Sequence, residues 1–179
     1  RKRGVEVLYL TDPIDEFVMG DLGKYKDCEL KSIDAADAEI PGGEEAQQEP
    51  ESKDEETAPA GLGKVLSLFR SALGDQVVDV RESKRLTDSP CCLVNPEGGI
   101  SAQMQRMLKA ANQEVPDAKR ILEINPQAPL IEQLSKLSSN EQHDEFIKEC
   151  GRQLFANALL LSGILTDPQD MVDRMQRLL

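Results

Sequence analysis

The stretch 139–179 constrains this chain more than any other, because its apolar residues recur at the spacing of two helices joined by a tight turn. Ser139 followed by Gln142 has the capping-box spacing, in which each side chain satisfies an orphan N–H of the first turn. Phe146, Cys150, Leu154, Ala158 and Leu161 then follow one stripe, which Ile147, Leu160 and Ile164 widen. Gly163 and Thr166 interrupt it. Asp167-Pro168 restarts a helix, with aspartate as N-cap and proline at the first helical position, where no N–H is required. Met171, Val172, Met175, Leu178 and Leu179 line one side of this second helix. Two helices this apolar bury each other only in part, and no later residue of the sequence covers the remainder. The pattern predicts pairing with a second copy; a core pair packed inside one domain is the alternative.

Charge separates the chain into parts. The formal net charge is −12, but the window 34–58 holds ten acids and one base, so the rest stands near −3. That window combines glycine, proline, glutamate and glutamine with almost no apolar residue, and it cannot offset the entropy of ordering. It reads as an acidic linker or mobile loop. A near-neutral folded part beside such a linker gives no support for nucleic-acid binding, which needs clustered basic surface. The longest apolar run, 155–165, is too short to span a bilayer and contains Asn157 and Ser162. The four cysteines, Cys28, Cys91, Cys92 and Cys150, lack C-x-x-C spacing, and there is one histidine, His143. No metal cluster is expected, and the thiols read as reduced, packed side chains of a cytoplasmic protein. No signal peptide opens the sequence.

In chain order, Val5, Val7, Leu8, Tyr9 and Leu10 form a run of strand length, closed by Thr11-Asp12-Pro13. A helix then carries Ile14, Phe17, Val18 and Leu22. One strand and one helix make no core, so the chain reads as a piece of a longer protein. Residues 28–33 suit a short strand. Structure resumes at Leu62 with a helix bearing Val65, Leu66, Leu68, Phe69 and Leu73, ended at Gly74. Residues 76–81, 91–94 and 120–124 read as strands. Ile100, Met104, Met107, Leu108 and Ala111 give an amphipathic helix between the last two, and Leu130, Ile131, Leu134 and Leu137 give another before the terminal pair. The expected fold class is α+β: a small, mostly antiparallel three-stranded sheet packed with helices.

Several motifs carry a resemblance that periodicity alone does not. Gly4-Val5-Glu6-Val7-Leu8-Tyr9-Leu10 with Asp12-Pro13-Ile14-Asp15-Glu16-Phe17 resembles the end of the middle domain of the heat shock protein 90 family of molecular chaperones. Val78-Asp79-Val80-Arg81, Arg85-Leu86-Thr87-Asp88-Ser89-Pro90, Arg120-Ile121-Leu122-Glu123-Ile124-Asn125-Pro126 and Asp167-Pro168 resemble its C-terminal domain, in the family's order. Without an acidic Met-Glu-Glu-Val-Asp tail, the chain is similar to the bacterial, HtpG-type members. The insertion at 34–60 departs from the family pattern, which is more helical there.

The resemblance implies a division into 1–33, the end of a middle domain; 34–61, the acidic linker; and 62–179, a C-terminal dimerisation domain. It implies a homodimer closed by an intermolecular four-helix bundle, with Leu154, Ala158, Leu161, Ile164, Met171, Met175 and Leu178 at the interface. It also implies that Ile100, Met104, Met107 and Leu108 line a cleft for unfolded or partly folded client proteins, with Phe17 facing the same cleft. Packing of that helix on the sheet, and of Phe17 on a middle-domain core, are the structural alternatives. In the family, ATP and magnesium bind an N-terminal domain outside this sequence, so the chain itself is expected to have no ATPase activity and no cofactor. Nor does the sequence contain a phosphate-cradling glycine loop or a catalytic Ser/His/Asp or Cys/His pattern. A scaffold module without a client role is the competing function.

Overall fold

The computed structural model describes residues 6–36, 59–96, 99, 101, 104–105, 107–108, 111, 119–164 and 168–178. The chain divides into two compact units, Arg1–Glu45 with Asn95–Ala118, and Ala46–Val94 with Lys119–Leu179.

The second unit holds the main core. Helix α2 (Leu62–Leu73) buries Leu62, Val65, Phe69 and Leu73, which its three-and-four spacing puts on one face. A 3-10 turn (Gly74–Gln76) leads into β3 (Val77–Glu82), followed by β4 (Cys91–Val94) and β5 (Arg120–Ile124). The last strand lies between the other two. It pairs parallel with β3, Arg81 opposite Glu123, and antiparallel with β4, Cys92 opposite Glu123. The sheet is therefore mixed, with one parallel and one antiparallel pair, rather than mostly antiparallel. A meander of antiparallel neighbours would put each strand beside the one before it in sequence. Here β5 is inserted between β3 and β4, so it lies antiparallel to the strand before it and parallel to the non-consecutive β3. All five residues of β5 are buried, as a central strand covered on both faces requires.

Three further helices complete this unit. They are α3 (Pro129–Leu137), α4 (Asp144–Leu161) and α5 (Gln169–Leu178), with a 3-10 turn at Glu141–His143. That turn is capped by Asn140, whose Oδ1 accepts from the Gln142 N–H at 3.0 Å. The expected cap, Ser139, belongs to the preceding helix: its hydroxyl donates to the Lys136 carbonyl at 2.9 Å. Helix α4 packs Ile147, Cys150, Leu154, Phe155 and Ala158 against α2 and the sheet. Gly151 makes this approach possible, since a Cβ there would stand 2.5 Å from Phe69 Cδ1. Each fully buried side chain such as Phe69, Ile131 or Ile147 contributes roughly 1.5–3 kcal/mol. Lys64 Nζ to Asp144 Oδ1, at 2.9 Å, adds an ion pair between α2 and α4.

In the first unit, α1 (Pro13–Leu22) begins at Asp12-Pro13 as the sequence predicts. The Asp15 carboxylate accepts the N–H groups of Thr11 and Asp12 at 3.1 and 3.0 Å, holding the first turn closed. A two-residue hairpin follows, β1 (Lys24–Tyr25) with β2 (Cys28–Glu29), turning through Lys26 at φ 54°. The strand expected over 28–33 is thus only two residues long. Residues 6–10, the described part of the run 5–10 expected as a strand, pair with none among the described residues, and Tyr9 is 77% exposed. Residues rich in β-formers supply one strand's worth of edge, not the neighbour that would make a sheet. The start of the predicted linker is tied down: the Asn95 N–H bonds the Asp34 carbonyl at 2.7 Å, and the Ala36 N–H bonds the Asn95 carbonyl at 2.9 Å. The remainder of the predicted linker up to residue 58 lies outside the described residues.

Candidate functional site

The apolar stripe of α4 runs further than the layer that covers it. Leu154 and Ala158, both expected at an interchain contact, fill the chain's own core beside α2. Leu161 stands on the same stripe one turn further on, past the covering helix, and is 87% exposed. Leu160 is half exposed and Ile164 half-buried. On α5, Met171 is half-buried while Val172 and Met175 are exposed; the side chain of Leu178 lies outside the described residues. Phe146, read from sequence as the first member of the same stripe, is exposed as well. The exposed apolar side chains of these two helices thus include Leu160, Leu161, Val172 and Met175, with Ile164 and Met171 half-buried. Leu160 and Val172 were absent from the expected contact. Periodicity identifies an apolar stripe but not the point along it where its cover ends.

Glu149 of α4 reaches across to α5. Its carboxylate meets Arg152 Nη1 on its own helix, Arg174 Nε at 3.3 Å and Arg177 Nη2 at 4.0 Å. A shallow recess between the two helices is lined by Glu145, Phe146, Glu149, Arg174 and Arg177.

The helical segment that carries the client candidates is described at Met104, Gln105, Met107 and Leu108. Ser101 starts it, its hydroxyl accepting the Met104 N–H at 3.0 Å. Met107 is exposed, Met104 and Leu108 are half-buried, and Ile100 lies outside the described residues. Phe17 is exposed on α1, as are Ile14, Val18 and Leu22 around it.

The polar centre of the sheet went unpredicted. Glu123, 3% exposed in the central strand, takes Arg81 at 2.7 Å, Arg85 at 3.0 Å and the Ser83 hydroxyl at 2.9 Å. Charged residues in strand-like segments were the available signal, but nothing in a linear sequence pairs positions forty-two apart.

Two of the four thiols, Cys91 and Cys150, are not poised for chemistry. Burial, with neighbouring Cys92 adding to it, pushes Cys91 from 9.0 up to about 12, and its Sγ–H lies 3.6 Å from the Leu154 carbonyl. Burial, then Glu149, pushes Cys150 up too. Both favour the neutral thiol, whereas the thiolate is the nucleophile. Among the described residues, no group of three or more His, Cys, Asp or Glu side chains could hold a metal ion, and no helix is long and apolar enough to cross a membrane.

Comparison with known proteins places these features in a lineage. The family model described as Hsp90 protein matches residues 1–179. The chain is 40% identical over 182 residues to the chaperone protein HtpG of Oleidesulfovibrio alaskensis, covering all of this chain and 28% of that protein. It is 43% identical over 169 residues to HtpG of Geobacter sulfurreducens, covering 94% of this chain and 26% of that one. HtpG of Nitratidesulfovibrio vulgaris is 37% identical over 184 residues, with coverage of 100% and 28%. The chain thus spans about a quarter of the length of the relatives it matches. With the family model matched from end to end, the chain belongs to the Hsp90 protein family.

Proposed function

We propose that this chain is the part of a molecular chaperone that joins two copies through α4 and α5 and offers an adaptable apolar helix to unfolded or partly folded proteins. The observation that carries the dimer is Leu161: a leucine 87% exposed at the end of a stripe whose earlier members fill the core. Leaving it in water forgoes roughly 1.5–3 kcal/mol that a partner helix would supply. Leu160, Val172 and Met175 extend the same need over two helices. Two helices from each copy would form a four-helix bundle, and stable interfaces bury about 1,200–2,000 Å². Ile164 and Met171 border the contact, and Leu178 continues the α5 stripe by sequence. Leu154 and Ala158 support it from beneath.

Client contact rests on Met104, Met107 and Leu108, with Phe17 as a second apolar site. Methionine suits a surface that adapts to varied partners. ATP binding and hydrolysis, with magnesium, belong in this reading to the portion of the relatives that the chain does not cover, and the whole protein works in the cytoplasm.

Sedimentation of the 179-residue chain at micromolar concentration tests the dimer. The wild type is expected to have twice the chain mass. Leu161→Asp would bury an unpaired charge at the contact, costing several kcal/mol per subunit, and is expected to sediment as a monomer with unchanged helical content. A monomeric wild type would falsify the dimer.

A further inference from the structure

Helix α5 has little to hold it in place. It is ten residues long, below the length at which an isolated helix persists in water. Its described apolar side chains are exposed except for half-buried Met171. What grips it is ionic. Arg174 Nε stands 3.3 Å from Glu149 Oε2 as an ion pair without hydrogen-bond geometry, its side chain 17% exposed, and the more exposed Arg177 approaches the same oxygen at 4.0 Å. Arg152 meets the other carboxylate oxygen from within α4, which keeps the Glu149 side chain in one orientation.

Three residues apart, Arg174 and Arg177 share a face of α5. Val172 and Met175 lie round the helix from that face, so holding the arginines against α4 turns Val172 and Met175 outward. Rolling α5 about its axis would move them off the surface they now share. We infer that Glu149 is the positioning residue of the dimer face, a clasp that sets the roll of α5 so that a second copy of this chain meets a preformed apolar surface. This rests on the dimer reading above, and adds that an apolar interface is governed by a charge outside it.

The consequence is an unusual salt dependence. An interface held only by apolar burial is not weakened by screening, whereas a partly exposed ion cluster is, because the Debye length falls to about 3 Å at 1 M salt. Sedimentation of the full chain at low salt and at about 1 M sodium chloride reads this directly. Wild type should dimerise more weakly at high salt. Glu149→Gln should raise the dimer dissociation constant about tenfold at low salt, two clasps per dimer each supplying a few-fold, and should lose the salt dependence. Glu149→Asp, which keeps the charge, should fall between them. Arg174→Gln should weaken the dimer likewise, and the double substitution should be little worse than either single one, since both remove one interaction. If Leu161→Asp is monomeric while Glu149→Gln dimerises as wild type at both salt concentrations, the interface stands and the clasp is wrong. A Glu149→Gln defect that persists unchanged at about 1 M salt, where wild type is unaffected, also overturns it. If Leu161→Asp leaves association intact, the contact lies elsewhere and both readings fall.

Discussion

Glu123 shows how much one side chain can organise in so small a sheet. A carboxylate 3% exposed would be costly alone, yet Arg81 from one neighbouring strand and Arg85 from the following loop satisfy it. Ser83 adds a hydrogen bond, and the Ser83 hydroxyl also accepts the N–H groups of Arg85 and Leu86, both at 3.3 Å. One carboxylate thus fixes strand pairing and the first turn of the connection together. Glu123→Gln would leave two cations facing a neutral amide, and should cost roughly 3 kcal/mol. The expected result in urea is a lower midpoint with an unchanged slope. Arg85→Ala should cost less, because Arg81 still compensates the carboxylate. An Arg85→Ala loss larger than that of Glu123→Gln would show that the loop, not the carboxylate, is the organising element.

Between elements, the tightest junction is the start of α2 against the end of α3. Gly61 sits at φ +95°, and a Cβ there would lie 2.4 Å from the Ser135 carbonyl oxygen and 2.5 Å from Ser138 Oγ. Both the backbone conformation and the space exclude a side chain. Gly61→Ala should destabilise the second unit by roughly 2–3 kcal/mol, through αL strain plus displacement of α3. Gly63 lies two residues on within the helix, and a Cβ there would meet nothing within 4 Å. Gly63→Ala should therefore stabilise by about 0.5–1 kcal/mol. Thermal unfolding of the two variants checks the contrast; a shift of the same sign in both would mean that α2 does not press on α3 as closely as these distances require. The same logic of close approach brings α4 to α2 at Gly151, and this fixes which part of the α4 stripe is covered and which is left at Leu161.

At the scale of the whole molecule, the two proposed contacts fall in different compact units: α4 and α5 in one, Phe17 and Met104 to Leu108 in the other. Dimerisation and client contact should therefore be separable. Replacing Met104 and Met107 together by glutamate should remove most of the chain's suppression of aggregation of an unfolded protein, while the sedimenting mass stays that of the dimer. Light scattering beside sedimentation gives both readouts. Full suppression by the charged variant would move the client surface elsewhere, to α1 for example, whereas a wild type that suppresses nothing would leave the chain as a scaffold module.

Sequence alone determined the elements with strong local signals. Helix α2 carries its stripe and its closing glycine within a few turns, β4 is a short apolar run, β5 is a short segment rich in Ile and Leu stopped by Asn125-Pro126, and Asp12-Pro13 starts α1 by a capping mechanism that involves only neighbours. The motifs shared with the heat shock protein 90 family were likewise legible, and the family match bears that reading out. Tertiary structure decided what depends on distant partners. The parallel pairing of β3 with β5 needs a crossover whose path no local pattern encodes. Glu123 acquires its arginines only once three strands lie side by side. Leu154 and Leu161 are indistinguishable by periodicity, seven residues apart on one stripe, yet one is in the core and the other in water. Burial is a property of what lies opposite a residue, and for Leu161 that is decided by where α2 ends.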